Sequence, residues 1–231
     1  MQRLWLKGAT ALIKQVKITE LFDSVTPYLQ DLFAQCTYPW EILPKIGSYM
    51  KELIANGLDG FQEIAPGVWV GENVRIAGTA TIIPPAIIGA GTEIRPGAYL
   101  RGNVITGKNC VLGNSTELKN VVLLDKVQVP HYNYVGDSVL GNFSHMGGGA
   151  ICSNLKSDGK NVVIHGEEEY ETGLRKIGAI LGDHADIGCG CVLNPGTVVG
   201  KNTSVYPLTS LRGVYPADCI IKAQKEIVKR V

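Results

Sequence analysis

Four histidines, at positions 131, 145, 165 and 184, are the side chains of this 231-residue chain best suited to move a proton near neutral pH. His131 stands apart, between Pro130 and the tyrosines of Tyr132-Asn133-Tyr134. A lone histidine is more often structural than catalytic, so His131 reads as either a surface group or a general base. The arginines and lysines offer complementary chemistry. Arg101 and Lys119 are eighteen residues apart, and Arg95 and His131 thirty-six apart. If eighteen residues make one turn of the chain, such pairs fall into vertical columns, and an anion such as phosphate fits between stacked cations. The Arg101–Lys119 column reads equally as solvated surface charge. Gly147-Gly148-Gly149 reads first as turn formers and second as an anion cradle.

The element that makes eighteen the meaningful spacing is a period of six. Counting by six from Val70 gives Ile76, Ile82, Ile88, Ile94, Leu100, Thr106, Leu112, Leu118 and Leu124, nine of the ten being branched aliphatics. Four residues beyond each lies a small or β-branched column that runs from Val74 and Ala80 to Val122 and ends at Gln128. A helix needs apolar spacings of three and four, and a lone strand needs alternation. A hexad with glycine and asparagine between the columns fits a β-helix, three short strands to a triangular coil. A β-sandwich places its turns every 8–12 residues and does not hold one register for ten units. The repeat falters around Gln128–Tyr134, resumes with a five-residue unit at Val135-Gly136-Asp137, lapses over residues 153–176, and returns from Leu181 to Leu211. The total predicts six or so coils. The lapse reads as a loop or displaced excursion, and its run Glu167–Glu171 as solvated surface.

Three segments follow: 1–64, a helical segment; 65–216, the hexapeptide coil; and 217–231, a short helix or tail. In the first, Thr26-Pro27 and Pro44 mark helix starts and Asn56-Gly57 a stop. Such a segment is expected to cap the first coil or pack on a neighbouring subunit. With 22 basic and 21 acidic residues and no basic stripe, nucleic acid is not an expected partner. No stretch approaches a membrane span, and Lys7 and Lys14 interrupt the N-terminal apolar run, so no signal peptide is read there. Cys110 and Cys191 fall on the small inward column, and Cys189-Gly190-Cys191 has no second pair for zinc. A reduced, cytoplasmic protein with no metal site is expected.

The segments Ile94-Arg-Pro-Gly97, Glu117-Leu-Lys119, His131-Tyr-Asn-Tyr-Val-Gly-Asp137 and Gly147-Gly-Gly-Ala-Ile-Cys-Ser-Asn154 carry a more specific signal, as does Thr172–Asp183. Over about residues 65–216 the chain resembles the acetyltransferase half of the bifunctional N-acetylglucosamine-1-phosphate uridyltransferase/glucosamine-1-phosphate acetyltransferases and related sugar-phosphate nucleotidyltransferases. The resemblance implies a left-handed parallel β-helix, a homotrimer with sites between subunits, and acetyl-CoA as co-substrate with no bound cofactor. It also implies that His131 is the general base, that Arg95, Lys119 and Tyr134 hold the sugar phosphate, and that Asn154 helps place amino sugar and acetyl group. Lys160 lies where the family often has a lysine near substrate.

Three features depart from the family pattern. His145 stands at the acceptor-site asparagine, Leu155 replaces the aromatic after Asn154, and the nucleotidyltransferase domain is absent from residues 1–64. The expected activity is N-acyl transfer to an amino-sugar phosphate or nucleotide-linked amino sugar. Two alternatives stand beside it. One is a catalytically silent β-helix that partners a separate nucleotidyltransferase. The other is a hexapeptide carbonic anhydrase, disfavoured because no two histidines have the close spacing of its zinc site.

Overall fold

The computed structural model describes residues 16–223 and 226–229. The expectations for the first fifteen residues therefore lie outside the described residues. From Val68 the chain winds as a parallel β-helix with strands of two to seven residues. Three faces repeat in order. The first stacks Val68–Gly71, Ala86–Ile88, Val104–Thr106, the ends of Glu117–Leu123 and Tyr134–Leu140, then Ala179–Leu181, Thr197–Val199 and Val214–Tyr215. The eight strands named on this face make eight coils, more than the six or so expected, because short units keep the winding going where the hexad count lapses.

The interior is the predicted aliphatic column. Ile88, Ile94, Leu100, Leu112 and Leu118 are fully buried in one core that continues through Val129, Val135, Met146, Leu181, Leu193 and Leu211. Burying such side chains contributes about 1.5–3 kcal/mol each. Polar members of the small column are satisfied by backbone. Thr116 Oγ1 donates to Val129 O at 2.9 Å, and Asn133 Nδ2 to Gly147 O at 2.8 Å.

Two expectations of register are corrected. Thr106 pairs with Leu123, so Leu123, not Leu124, faces the interior, and the first five-residue unit falls between Leu118 and Leu123. The stretch 128–134 is regular, because Val129 and Val135 follow at six. The register steps by 18 from Tyr99 to Glu117 and by 17 from Glu117 to Tyr134. The missing residue comes from the corner between the third and first faces. There Asn120 and Asp137 turn the chain alone, each in the left-handed region at φ 54° and 49°. At the 17-residue step the eighteen rule fails. Ile94 pairs with Leu112 and Leu112 with Val129, whereas His131 pairs with Asn114. Arg95 and His131 therefore do not share a column.

The lapse is a true excursion. Val139 pairs with Ile180, a step of 41, so 24 residues more than a 17-residue coil leave and return at that same corner. They include an antiparallel hairpin, Val163–His165 against Glu169–Glu171. Together with the N-terminal helices this hairpin covers the first face. Ile87, Ile105, Val122, Val139, Ile180 and Val198 point away from the interior, yet all are fully buried under Leu29, Leu32, Ile42, Ile46, Met50, Val162 and Ile164. The helices thus pack along the side of their own coil and not over its end, because the first face has apolar residues on both sides.

Pro44 lies inside the 3-10 turn Pro39–Lys45, and the main helix is Ile46–Ala55. Thr26 does not cap its helix. Its hydroxyl donates to Asp125 at 2.8 Å, while Asp183 accepts from Asp23 N at 2.8 Å and Asn142 Nδ2 donates to Ser24 O at 2.9 Å. The C-terminal helix or tail is replaced by strands Cys219–Ala223 and Glu226–Lys229, paired antiparallel, because Ile221 extends the inward column. At the other end Phe61–Ala65 lies antiparallel on Val68–Gly71.

Ile105 tests the second core, since it is buried under the covering layer and not in the interior of the coil. Ile105→Ala is expected to cost about 2–5 kcal/mol in denaturant unfolding. A loss near zero would mean that the layer does not dock.

Candidate functional site

The corner between the third and first faces gathers polar side chains from successive coils. Each turn places one residue there, about 4.8 Å from the next. Asn103, Asn120, Asp137 and Asn154 form a ladder. Asn103 Nδ2 donates to Asn120 Oδ1 at 3.4 Å, Asn120 Nδ2 to Asp137 Oδ1 at 2.9 Å, and Asn154 Nδ2 to Asp137 Oδ2 at 2.6 Å. Lys119 lies alongside, with Nζ 3.2 Å from Asp137 Oδ1 and 3.4 Å from Oδ2. Tyr134 starts on the opposite edge of the third face and runs across it, and its hydroxyl accepts from Asn154 Nδ2 at 3.1 Å. Gly136 leaves room for this crossing, since a Cβ there would stand 2.5 Å from the Tyr134 hydroxyl and 2.7 Å from Asn154 Nδ2. Burial, with Asp137 and Glu117 nearby, pushes the Tyr134 hydroxyl above its ordinary value, so it stays protonated at neutral pH.

Lys119, Tyr134 and Asn154 are thus brought together, around a residue that the sequence reading passed over. Asp137 is 4% exposed. The signal was available. A carboxylate at a one-residue corner, seventeen before and after asparagines, has no inward position to fill and must meet its neighbours in the column.

The other expected site residues lie elsewhere. His131 sits at the edge between second and third faces, exposed, with no side-chain hydrogen bond among the described residues. Its backbone is held, because its N–H donates to Asn133 Oδ1 at 3.1 Å and its carbonyl accepts from Gly149 N at 3.0 Å. Arg95 is on the second face, paired with Glu93 at 3.2 Å. Arg101 stacks in the Lys119 column as spacing predicted, but its guanidinium pairs with Glu117 at 2.5 Å. His145 lies outward on the second face with Nδ1 2.8 Å from Asp186 Oδ1. Lys160 is exposed on the excursion, its N–H donating to Asp158. A cleft of about 410 Å³ opens beside the excursion, lined by Ser153, Lys156, Asp158, Asn194 and Arg212 among others. Among the described residues no three His, Cys, Asp or Glu side chains gather in a metal-binding arrangement. No described helix is long and apolar enough to cross a membrane.

A family model described as the GMPPB C-terminal domain matches residues 82–169. The bifunctional protein GlmU of Methanococcus aeolicus is 30% identical over 177 residues, which cover 69% of this chain and 42% of that protein. The bifunctional sugar-1-phosphate nucleotidylyltransferase/acetyltransferase of Sulfurisphaera tokodaii is 34% identical over 151 residues, 60% of this chain and 38% of that protein. The chain therefore spans less than half the length of these curated relatives. Among solved structures, UDP-N-acetylglucosamine acyltransferase from Campylobacter jejuni aligns with a TM-score of 0.40 and 17% identity, covering 67% of this chain and 74% of that one. The chain resembles the bifunctional sugar-phosphate enzymes in sequence.

The geometry separates two substitutions by stability alone. Lys119→Ala leaves the buried Asp137 carboxylate without its cation, and is expected to cost about 1–3 kcal/mol. His131→Asn removes an exposed ring with no hydrogen bond among the described residues, and is expected to stay within about 0.5 kcal/mol. Equal unfolding midpoints for the two variants would contradict the placement of Lys119.

Proposed function

We propose that this chain is an N-acyltransferase that moves an acetyl group from acetyl-CoA to an amino-sugar phosphate or nucleotide-linked amino sugar. The observation that carries this reading is the meeting of Lys119, Tyr134 and Asn154. They are three members of the ordered motif set that the resemblance links to sugar-phosphate acetylation, and they converge on one edge around Asp137. The similarity to curated sugar-1-phosphate nucleotidylyltransferase/acetyltransferases supports the same reaction class.

His131 is the proposed base. The amine nitrogen adds to the thioester carbonyl, His131 takes the amine proton, and the C–S bond breaks to release the CoA thiolate. Base help of this kind is worth about 10²–10⁴-fold. The third face between His131 and the Lys119 edge is three residues wide, roughly 10 Å. An amino-sugar phosphate with its acyl donor spans that width, with the phosphate held by charge-assisted hydrogen bonds at one end. Arg95 flanks the His131 edge, and Lys160 and His145 are further contacts to the acceptor. The span from His131 to Lys119 is open to one side, so we place the site between subunits of a homotrimer, whose neighbour supplies the missing wall. We also place the enzyme in the cytoplasm, where acetyl-CoA and reduced thiols coexist.

Acetyl-CoA incubated with a panel of amino-sugar phosphates and nucleotide-linked amino sugars tests the reading through thiol release. Transfer to at least one acceptor is expected. His131→Asn is expected to lower kcat about a hundredfold with little change in KM. Wild-type kcat in that variant would remove His131 as the base. Light scattering is expected to give three times the 24.8 kDa chain mass. A monomer at micromolar concentration would count against a shared site.

A further inference from the structure

The ladder has a direction, and Asp137 sets it. An ionised carboxylate only accepts hydrogen bonds, so every amide that meets it must turn its NH2 inward. Asn154 donates to Asp137 Oδ2 at 2.6 Å and to the Tyr134 hydroxyl at 3.1 Å. Those two bonds use both of its amide hydrogens. Its Oδ1 is consequently turned away from Asp137, and has no hydrogen-bond partner among the described residues. Tyr134, which accepts from Asn154, keeps its own O–H to donate. Lys119 keeps ammonium hydrogens beyond those directed at Asp137. The same constraint runs up the ladder, where Asn120 gives its NH2 to Asp137 and to Leu43 O at 3.4 Å and so offers Oδ1 to Asn103.

We infer that Asp137 is a positioning residue that fixes the donor and acceptor pattern read by the acceptor sugar. Lys119 and Tyr134 present donors, suited to phosphate and ring oxygens. Asn154 Oδ1 presents an acceptor, suited to an ammonium or hydroxyl hydrogen. Asp137 does not itself touch the sugar, being buried beneath these three side chains. The inference rests on the amino-sugar acyl-transfer reading above and deepens it.

Reversing the pair tests it. Asp137→Asn sets one NH2 against another, so Asn154 must turn round and offer a donor where an acceptor is needed. Asn154→Asp sets two carboxylates against each other. In Asp137→Asn/Asn154→Asp the inward bond re-forms with donor and acceptor exchanged, and an outward acceptor oxygen is restored. Each single variant is expected to raise the acceptor KM by about tenfold or more, with the acetyl-CoA KM unchanged. The double variant is expected to recover much of both the acceptor KM and the thermal midpoint, a coupling that independent sites do not show. An unchanged acceptor KM in Asp137→Asn overturns the inference, as does a double variant no better than the worse single one. If Asp137→Asn does not fold, Asn154→Asp against the double variant carries the same comparison. If the wild type acetylates no amino sugar, the functional reading fails, whereas the thermal cycle still decides whether Asp137 orients Asn154.

Discussion

Every coil depends on the next for its backbone hydrogen bonds. Thr81 N donates to Ala98 O, Tyr99 N to Thr116 O and Glu117 N to Asn133 O, and so on along the third face. A parallel ladder of this kind tolerates no slip within a strand, because a slip of one residue would exchange inward and outward side chains. All variation in coil length is therefore pushed into the corners. The 17-residue coils lose their residue at Asn120 and Asp137, and the 24 extra residues of the excursion enter at the same corner on the next rung, after Asn154. The candidate site occupies that corner for the same reason. It is the place where the chain is free to change without cost to the ladder.

How much of this was legible follows from what a period can encode. The hexad records which side chain points inward, so the fold and the column from Ile88 to Leu118 were readable directly. It does not record where a unit is one residue short when both neighbours are apolar. Leu123 and Leu124 satisfy the pattern equally, and only pairing with Thr106 decides between them. From that one ambiguity the Arg95–His131 column was misplaced. Arg101 and Lys119, upstream of the shortened corner, were placed correctly.

The covering layer was hidden for a different reason. Ile87, Ile105 and Val122 look like ordinary strand residues next to inward ones, and only the doubling of apolar side chains on one face marks them as doubly buried. Asp137 carries no hexad signal, only its spacing of seventeen from Asn120 and Asn154. Its importance comes from the company that the corner forces on it, a cation and two amides that can each satisfy a buried carboxylate. The site residues read from resemblance divide accordingly. Lys119, Tyr134 and Asn154 assemble around Asp137, while His131, Arg95, His145 and Lys160 stand elsewhere.

The reversed strands at the two ends have a consequence beyond the single molecule. A coil whose rungs repeat at one spacing is a template for its own kind, and two bare ends would stack into an unbroken fibre as cross-β assemblies do. Here Phe61–Ala65 and Glu226–Lys229 run against the coil direction and take up the outermost hydrogen bonds of one face at each end. A second molecule added there would meet a reversed strand and not the next rung of a coil. On those two faces head-to-tail stacking therefore interrupts the parallel ladder instead of extending it.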